Sequence, residues 1–138
     1  MLIHSESEML KYGQKLGGEL KAPIVLELLG DVGVGKTTLT RGIALGLGIN
    51  ENITSPTFTV SKEYSGKNCR LVHYDFYRLS DPGIMSEDLA ETISDPDTVT
   101  IIEWGQSIQD ILPAKHKTIE IKYIDEDTRE ITEKWSFT

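Results

Sequence analysis

A glycine-rich segment near the start of the 138-residue chain constrains the fold more than any other feature. Residues 30–37 read GDVGVGKT and fit the pattern G-x-x-x-x-G-K-[ST], with a second hydroxyl at Thr38. The glycines let successive backbone N–H groups point inward around phosphate oxygens, in conformations that residues with side chains resist. The pattern needs a strand before it and a helix after it. The apolar run at 24–29 and the helical spacing after residue 36 meet this requirement.

The chemistry of residues 30–37, named here the phosphate loop, is that of nucleotide binding. The helix that follows presents free N–H groups and the positive end of its dipole to an anion. Lys36 is placed to reach the β- and γ-phosphates, and the Thr37 hydroxyl to ligate Mg²⁺. The predicted nucleotide-binding residues of this segment are Gly30, Asp31, Gly33, Val34, Gly35, Lys36, Thr37 and Thr38.

Two carboxylates are candidates for the acidic group that phosphoryl transfer needs near Mg²⁺, usually at the end of a strand. Asp75 follows LVHY of a predicted strand, and Glu103 ends the β-branched run TVTIIE. A single acid at a strand end is more often solvated or caps a helix. Because a phosphate loop needs such a partner, we predict that both carboxylates belong to the catalytic metal site, together with Lys36 and Thr37.

The segment SPTF at residues 55–58 is a further candidate. Pro56 disfavours the helical conformation at Ser55, so the segment is predicted to be an extended loop that enters a strand. Thr57 in such a loop could sense the γ-phosphate and Mg²⁺, as the switch loops of GTPases do. The alternative is an ordinary turn. We expect ATP and Mg²⁺ to order this loop and hydrolysis to release it.

Hydrophobic periodicity and turn residues predict the other elements. Ser5 and Glu8 fit a capping box at the start of a helix. We predict helices over about 5–20, 36–47 and 84–93, strands over 24–29 and 98–103, and hairpin strands over 57–64, 69–76, 117–123 and 129–137. The pattern indicates an α/β, three-layer fold like that of P-loop nucleoside triphosphatases. Its mixed sheet has a parallel core and antiparallel flanking strands, in a single domain over residues 1–138.

The composition excludes several classes of protein. A formal net charge of −8 argues against broad, non-specific nucleic-acid binding, which needs Lys and Arg to neutralise phosphates. No apolar run is long enough to span a membrane, and the first residues lack the features of a signal peptide. Cys69 is the only cysteine, so an internal disulfide or a cysteine metal cage is excluded. We expect a reduced, cytoplasmic protein.

Acidic residues are concentrated in the second part of the chain. Residues 81–114 contain eight Asp or Glu and no Lys or Arg. This stretch is either a solvated face that keeps the protein soluble or a docking surface for a basic partner.

Five segments together resemble one family, the bacterial TsaE proteins, which are P-loop ATPases of tRNA threonylcarbamoyladenosine biosynthesis. These segments are GDVGVGKTTLTRG at 30–42, SPTF at 55–58, HYDFYRL at 73–79, IIEW at 101–104 and ILP at 111–113. Their order and spacing agree as well, and the resemblance covers nearly the whole chain. It implies a Mg²⁺-dependent ATPase that is weak alone and acts with the TsaB–TsaD pair. That pair transfers threonylcarbamoyl to N6 of adenosine 37 in tRNAs that read ANN codons.

The resemblance also implies roles for individual residues. The ATP cycle of this chain would support repeated turnovers rather than the transfer itself, with tRNA contacted indirectly and neither DNA nor a membrane as a partner. Thr37 and Glu103 would bind Mg²⁺, Asp75 would be the Walker-B-like acid, and Thr57 the switch threonine. The alternative for Glu103 is that it activates the attacking water, as well as or instead of holding the metal through a water. Trp104 would lie beside the site; the alternative for this side chain is simple core packing.

Two more residues match positions that approach the nucleotide in relatives, namely Glu6 and Arg129. The chain departs from the family in two places. Residues 84–94 lack a glycine-centred apolar motif after the DFYRL segment, and Thr128 stands where a glycine usually precedes the arginine.

Three other functions compete with this interpretation. A small-molecule or nucleotide kinase usually needs an arginine-rich lid, yet the chain has four arginines and none between residues 81 and 114. A G protein needs an Asn-Lys-x-Asp motif, and no asparagine here is followed by lysine. A nucleotide-gated binding module with vestigial hydrolysis remains open, and stimulation by partner proteins separates it from an ATPase.

Overall fold

Strands and helices alternate through most of the chain, which then ends in a hairpin of long strands. The computed structural model describes residues 1–31, 33–54, 61–76, 84–104, 109, 112–113 and 115–137. The strands are β1 (Leu2–Ile3), β2 (Ile24–Leu29), β3 (Ser61–Ser65), β4 (Arg70–Asp75), β5 (Thr98–Glu103), β6 (Lys115–Tyr123) and β7 (Arg129–Phe137). The helices are α1 (Glu6–Glu19), α2 (Lys36–Gly46) and α3 (Ile84–Ser94).

Within the described ranges the strands form one sheet in the order β1-β7-β6-β2-β5-β4-β3. The four central strands are parallel, because β2 pairs in parallel with both β5 and β6, and β4 pairs in parallel with β5. The strands at the two sides, β1, β7 and β3, pair antiparallel with their neighbours. The predicted α/β class, with a parallel core and antiparallel flanks, is confirmed.

Helices cover both faces of the sheet. On one face, α1 and α2 pack with side chains of alternate strand residues, including Leu26, Leu28 and Ile101, in the larger hydrophobic cluster. On the other face, Leu89 of α3 packs against Ile102 and its neighbours in a smaller cluster. Strands that are covered on both sides become almost wholly apolar, which explains why β5 is buried at every position.

Glycines bring α1 and α2 into direct backbone contact. A Cβ atom added at Gly17 would lie 2.2 Å from the Ile43 carbonyl oxygen, and one added at Gly46 would lie 2.3 Å from the Gln14 carbonyl oxygen. Both distances are far inside van der Waals contact, so neither position has room for any side chain. The absence of side chains here fixes the distance between the two helices. It thereby fixes α1 against the helix that follows the phosphate loop.

The predicted boundaries hold within a few residues for most elements. The strands at 24–29, 98–103 and 129–137 occupy the predicted ranges, and the predicted helix at 36–47 ends at Gly46. The strand predicted over 117–123 begins two residues earlier, since its first residues pair with the end of β7. The strand β1 was not predicted; it exists through its pairing with β7.

The capping box at the start of α1 is half formed. The Ser5 hydroxyl oxygen accepts from the Glu8 N–H at 3.0 Å, as predicted. The Glu8 carboxylate, however, lies 3.4 Å from the backbone nitrogen of His4 rather than of Ser5. None of the helices in the described ranges combines the length and apolar character that crossing a bilayer requires.

Candidate functional site

The predicted site residues meet at one edge of the sheet, where the parallel strands β2, β4 and β5 have their carboxyl ends. Gly30 follows β2, Asp75 ends β4 and Glu103 ends β5. Asp75 and Glu103 are direct partners in the β4–β5 register. The carboxyl ends of parallel strands are where α/β proteins bind their ligands. The topology thus places both predicted carboxylates beside the phosphate loop.

The phosphate loop uses backbone conformations that favour glycine. Gly33 has a φ of +80° and Gly35 a φ of +117°, both in the left-handed region. Gly35 is also the N-cap of α2 and has no capping side chain. The first N–H groups of α2 therefore face the loop without a side-chain cap, as an anion site at a helix start requires. Val32 of this loop lies outside the described residues.

Lys36 lies in a cage at the start of α2. Its ammonium group donates to the Gly30 carbonyl oxygen at 2.6 Å and lies 3.8 Å from Glu103 Oε1. The residue is only 6% exposed. Burial lowers the pKa of the Lys36 ammonium, and the nearby carboxylates of Glu103 and Asp75 act in the opposite direction. A desolvated ammonium held beside a phosphate loop is well prepared to bind an anion.

Trp104 closes this cage. The Lys36 Nζ atom lies 4.0 Å from the centroid of the Trp104 ring, which is a favourable cation–π arrangement. Trp104 has a φ of +57°, a left-handed conformation that is uncommon for a residue with a side chain. This conformation directly follows Glu103. Strained residues of this kind cluster at functional sites.

Glu103 is shared between two basic side chains. One carboxylate oxygen, Oε1, faces Lys36, and the other, Oε2, lies 2.5 Å from Nε2 of His73. Both Glu103 and His73 are buried. His73 is not among the site residues predicted from the sequence. The signal was available, because His73 lies two residues before Asp75 in a predicted strand and must share its face of the sheet.

A cleft of about 430 Å³ opens beside the phosphate loop. Its walls come from the start of α1, from the phosphate loop and from the turn between β6 and β7. The lining residues include Ser5, Glu6, Met9, Gly33, Val34, Gly35, Thr38, Glu126, Asp127 and Arg129. Thr38 Oγ1 lies 3.5 Å from Glu6 Oε1 across this cleft. The structure therefore brings both Glu6 and Arg129 to the phosphate loop, although neither carries a strong local signal in the sequence.

Arg129 fastens the β6–β7 turn to the phosphate loop. Its Nε atom donates to the Val34 carbonyl oxygen at 3.1 Å, and its guanidinium donates to the Asp125 carbonyl oxygen at 2.6 Å. The guanidinium also lies over the Tyr123 ring, 4.8 Å from its centroid. The predicted departure at Thr128 leaves this geometry intact, since the Thr128 carbonyl oxygen accepts from the same guanidinium at 3.0 Å.

The residues at this edge fit a magnesium ion bound together with phosphates. Thr37 lies in the first turn of α2, and its hydroxyl and the carboxylates of Asp75 and Glu103 are hard oxygen ligands of the kind that Mg²⁺ prefers. No cluster of three or more His, Cys, Asp or Glu suited to a metal occurs among the described residues. Mg²⁺ usually has few protein ligands and completes its shell with phosphates and water. Thr57, the predicted switch residue, lies outside the described residues.

Known proteins resemble this chain over most of its length. The sequence model of the family described as threonylcarbamoyl adenosine biosynthesis protein TsaE matches residues 3–131. The chain is 37% identical to the tRNA threonylcarbamoyladenosine biosynthesis protein TsaE of Haemophilus influenzae, over 94% of this chain and 84% of that protein. It is 45% identical to the Bacillus subtilis protein of the same name, over 78% of this chain and 67% of that protein.

A solved structure gives the same result for the fold. The crystal structure of YdiB from Bacillus subtilis superposes with a TM-score of 0.78 and 32% sequence identity, and the match covers 100% of this chain and 84% of that chain. The family match extends from β1 into β7 and includes the phosphate loop, Asp75 and Glu103. The chain therefore belongs to the TsaE family of threonylcarbamoyl adenosine biosynthesis proteins.

Proposed function

We propose that this chain is a Mg²⁺-dependent ATPase subunit in the formation of N6-threonylcarbamoyladenosine at position 37 of tRNAs that read ANN codons. It acts with the TsaB–TsaD pair, and its ATP cycle resets or licenses that pair rather than performing the transfer. The observation that carries the proposal is the cage around Lys36. A buried ammonium lies between the Gly30 carbonyl and Glu103, at the sheet edge where Asp75 also ends its strand.

Each part of the cage has a function toward ATP. The loop N–H groups and the start of α2 bind the phosphates, and Lys36 exchanges the Gly30 carbonyl for a phosphate oxygen. Thr37, Asp75 and Glu103 are the residues that would hold Mg²⁺. When bound, this ion neutralises the charge that develops on the phosphates. The cleft beside Glu6 and Arg129 has room for the rest of the nucleotide.

We expect weak turnover in the isolated chain, because the arginine that lines the cleft already makes hydrogen bonds to the backbone. The Arg129 guanidinium, the cation among the described residues that line the cleft, already donates to the backbone of the phosphate loop and of the β6–β7 turn. Efficient phosphoryl transfer needs additional positive charge or a positioned water in the transition state. We infer that the TsaB–TsaD pair completes the site, either directly or through the segment that contains Thr57.

The proposal also covers where the chain works and what it touches. Its net charge of −8 disfavours direct binding to the tRNA phosphates, so contact with tRNA is through the partner proteins. The reaction belongs to the cytoplasm, where tRNA is modified. Neither DNA nor a membrane has a role in it.

The test is ATP turnover by the purified chain, alone and with the TsaB–TsaD pair. Slow turnover that rises strongly with the pair supports the proposal. Lys36→Ala should abolish ATP binding, and Lys11→Ala, which removes an exposed lysine of α1, should leave it unchanged. Turnover that does not respond to the pair, or tight ATP binding without hydrolysis, would instead identify a nucleotide-gated binding module. Full ATP affinity in Lys36→Ala would contradict the nucleotide site itself.

The switch role of Thr57 has its own test. Thr57→Ala should bind ATP but lose most of the stimulation by the TsaB–TsaD pair, because the loop would no longer report the γ-phosphate. Full stimulated turnover in this variant would reject the switch.

A further inference from the structure

A fully buried histidine, His73, lies next to the Glu103 carboxylate of the candidate site. It lies in β4, opposite Ile101 of β5, and its side chain has no solvent exposure. The predicted chemistry of the phosphate loop and its two carboxylates does not require an imidazole at this position. An imidazole buried in a largely apolar layer needs a polar partner to offset its lost hydration.

That partner is the carboxylate of Glu103. His73 Nε2 lies 2.5 Å from Glu103 Oε2, while Glu103 Oε1 points to the Lys36 ammonium. The two carboxylate oxygens therefore have different partners, one on the sheet and one in the phosphate loop. A glutamate side chain has several rotatable bonds, and a short hydrogen bond from a rigid strand selects one orientation of its carboxylate.

The second ring nitrogen of His73 indicates which tautomer makes this bond. No hydrogen-bond partner for Nδ1 exists among the described residues. A hydrogen on Nε2 has the Glu103 carboxylate as its acceptor, whereas a hydrogen on Nδ1 would have no acceptor among the described residues. This arrangement makes His73 a donor to Glu103 with a fixed direction.

We propose that His73 is a positioning residue that holds the Glu103 carboxylate with Oε2 bound to the sheet and Oε1 directed toward the phosphate loop, where it would help to hold the Mg²⁺ of bound MgATP. The inference rests on the proposed function, because it takes Glu103 as part of the magnesium site. Residues that orient metal-binding side chains in this way typically change metal affinity or activity by about 10- to 100-fold when they are removed.

Two amide variants separate the hydrogen bond from the volume and polarity of the side chain. His73→Gln places an amide N–H at about the reach of Nε2, whereas the shorter amide of His73→Asn cannot reach Glu103. We expect Mg²⁺ to strengthen ATP binding in the wild-type protein and in His73→Gln, as measured by calorimetry with Mg²⁺ and with EDTA. In His73→Asn this enhancement should fall about 10- to 100-fold, while the affinity for ATP in EDTA stays within about twofold.

Turnover provides a second readout. In His73→Asn the kcat should fall and the Mg²⁺ concentration needed for half-maximal rate should rise, and His73→Gln should restore both. Thermal melting of both variants separates this role from a folding role. If Asn and Gln variants melt alike but differ in Mg²⁺ dependence, the proposal is supported. Equal Mg²⁺ enhancement in all three proteins, or a loss of ATP affinity in EDTA that parallels a loss of stability, would overturn it.

The calorimetric measurement of ATP binding tests the role of His73 separately from the proposed ATPase function. A wild-type protein that shows Mg²⁺-enhanced ATP binding but no turnover, even with the TsaB–TsaD pair, rejects the ATPase and still decides the role of His73. Wild-type binding that Mg²⁺ does not enhance rejects the magnesium site, and with it the positioning role.

Discussion

At the scale of single residues, the charged groups of the site contact one another and the backbone around them. The Lys36 ammonium is bound to a backbone carbonyl, faces one oxygen of Glu103 and lies over the Trp104 ring. Burial lowers the pKa of the Lys36 ammonium, and the carboxylate of Glu103 acts against this shift. We expect ATP to replace these contacts with phosphate oxygens.

Arg129 is expected to control nucleotide affinity through the shape of the phosphate loop. Arg129→Ala removes the hydrogen bond to the Val34 carbonyl and those to the β6–β7 turn. A hydrogen bond from a charged group contributes about 1.5–3 kcal/mol, so we expect the Kd for ATP to rise about tenfold or more. Calorimetry measures this, with Lys122→Ala as the control because Lys122 is an exposed lysine of the same hairpin. An unchanged Kd in Arg129→Ala would show that the turn does not shape the loop.

Asp95 gives a pH-dependent prediction. Its carboxylate accepts from the Asp97 N–H at 2.9 Å and from the Arg70 guanidinium at 2.8 Å. The bond from Asp97, with a smaller contribution from Arg70, lowers the pKa of Asp95 below its ordinary value of 3.8. A lowered carboxyl pKa stabilises the fold above that ordinary value, and the stabilisation is lost as the pH falls through the lowered pKa.

The matching variant is Asp95→Asn, which keeps an oxygen acceptor and removes the charge. It should unfold at a lower urea concentration than the wild type at neutral pH, and the difference should shrink as the pH falls below 3.8. Glu91→Gln, at an exposed position of α3, is the control and should show little effect. A difference that is constant with pH would assign the loss to geometry instead of charge.

At the scale of elements, the packing of α1 on α2 decides where the cleft lies. The two helices meet through glycines, so the start of α1, with Glu6, reaches the phosphate loop. Gly17→Ala would place a Cβ atom 2.2 Å from the Ile43 carbonyl oxygen, which forces the helices apart. We expect a loss of about 1–3 kcal/mol in the free energy of unfolding, measured by chemical denaturation.

The neighbouring residue supplies the control for that prediction. A Cβ atom added at Gly18 meets nothing within 4 Å. Gly18→Ala should therefore leave the free energy of unfolding unchanged or raise it by about 0.5 kcal/mol, because alanine allows the unfolded chain fewer conformations than glycine does. Equal losses for both variants would show that the close approach of α1 to α2 at Gly17 is not what the substitution disrupts.

The elements that the sequence predicted well are those with a strong local pattern. The β-branched run of β5 and the apolar run of β2 need no partner to be recognised, and both appear where predicted. The strand β1 has two residues and no pattern of its own; it is defined by pairing with a strand about 130 residues away, as the contact between Met1 and Ile131 shows. The glycine contacts between α1 and α2 depend on tertiary packing in the same way.

In the site, too, some features follow from a local sequence pattern and others depend on tertiary packing. The phosphate loop and the carboxylates at two strand ends could be predicted, because chemistry dictates their residue types and spacing. Spacing places His73 on the same face of the sheet as Asp75, but it gives neither the hydrogen bond from His73 to Glu103 nor the left-handed conformation of Trp104. Both depend on how two adjacent strands end beside the start of α2.

At the scale of the whole molecule, the cleft joins parts of the chain that are distant in sequence. Arg129 and Val34, whose contact forms one wall, are 95 residues apart. A nucleotide bound there would contact the first helix, the phosphate loop and the last hairpin together. Because such a ligand binds the folded chain and not the unfolded one, binding and folding are linked.

MgATP is accordingly expected to stabilise the whole fold. At a free concentration of about 100 times Kd, the free energy of unfolding should rise by about 2.7 kcal/mol. Chemical denaturation with MgATP, compared with the same experiment without nucleotide, measures the increase. Lys36→Ala should show no increase at the same concentration. An equal gain in that variant would place the stabilising nucleotide elsewhere on the protein.

The ring that closes the Lys36 cage has a practical consequence, because indole emission responds to charge close to the ring. The chain contains two tryptophans. Trp135 lies at the far end of the last hairpin, with Lys115 and Lys117 each 5.5 Å from its centroid. Trp135→Phe would leave Trp104 as the only fluorophore of its kind, with an ammonium group 4.0 Å from its centroid. Any nucleotide that draws the Lys36 ammonium toward phosphate should change this emission, so the free protein contains its own optical reporter of site occupancy.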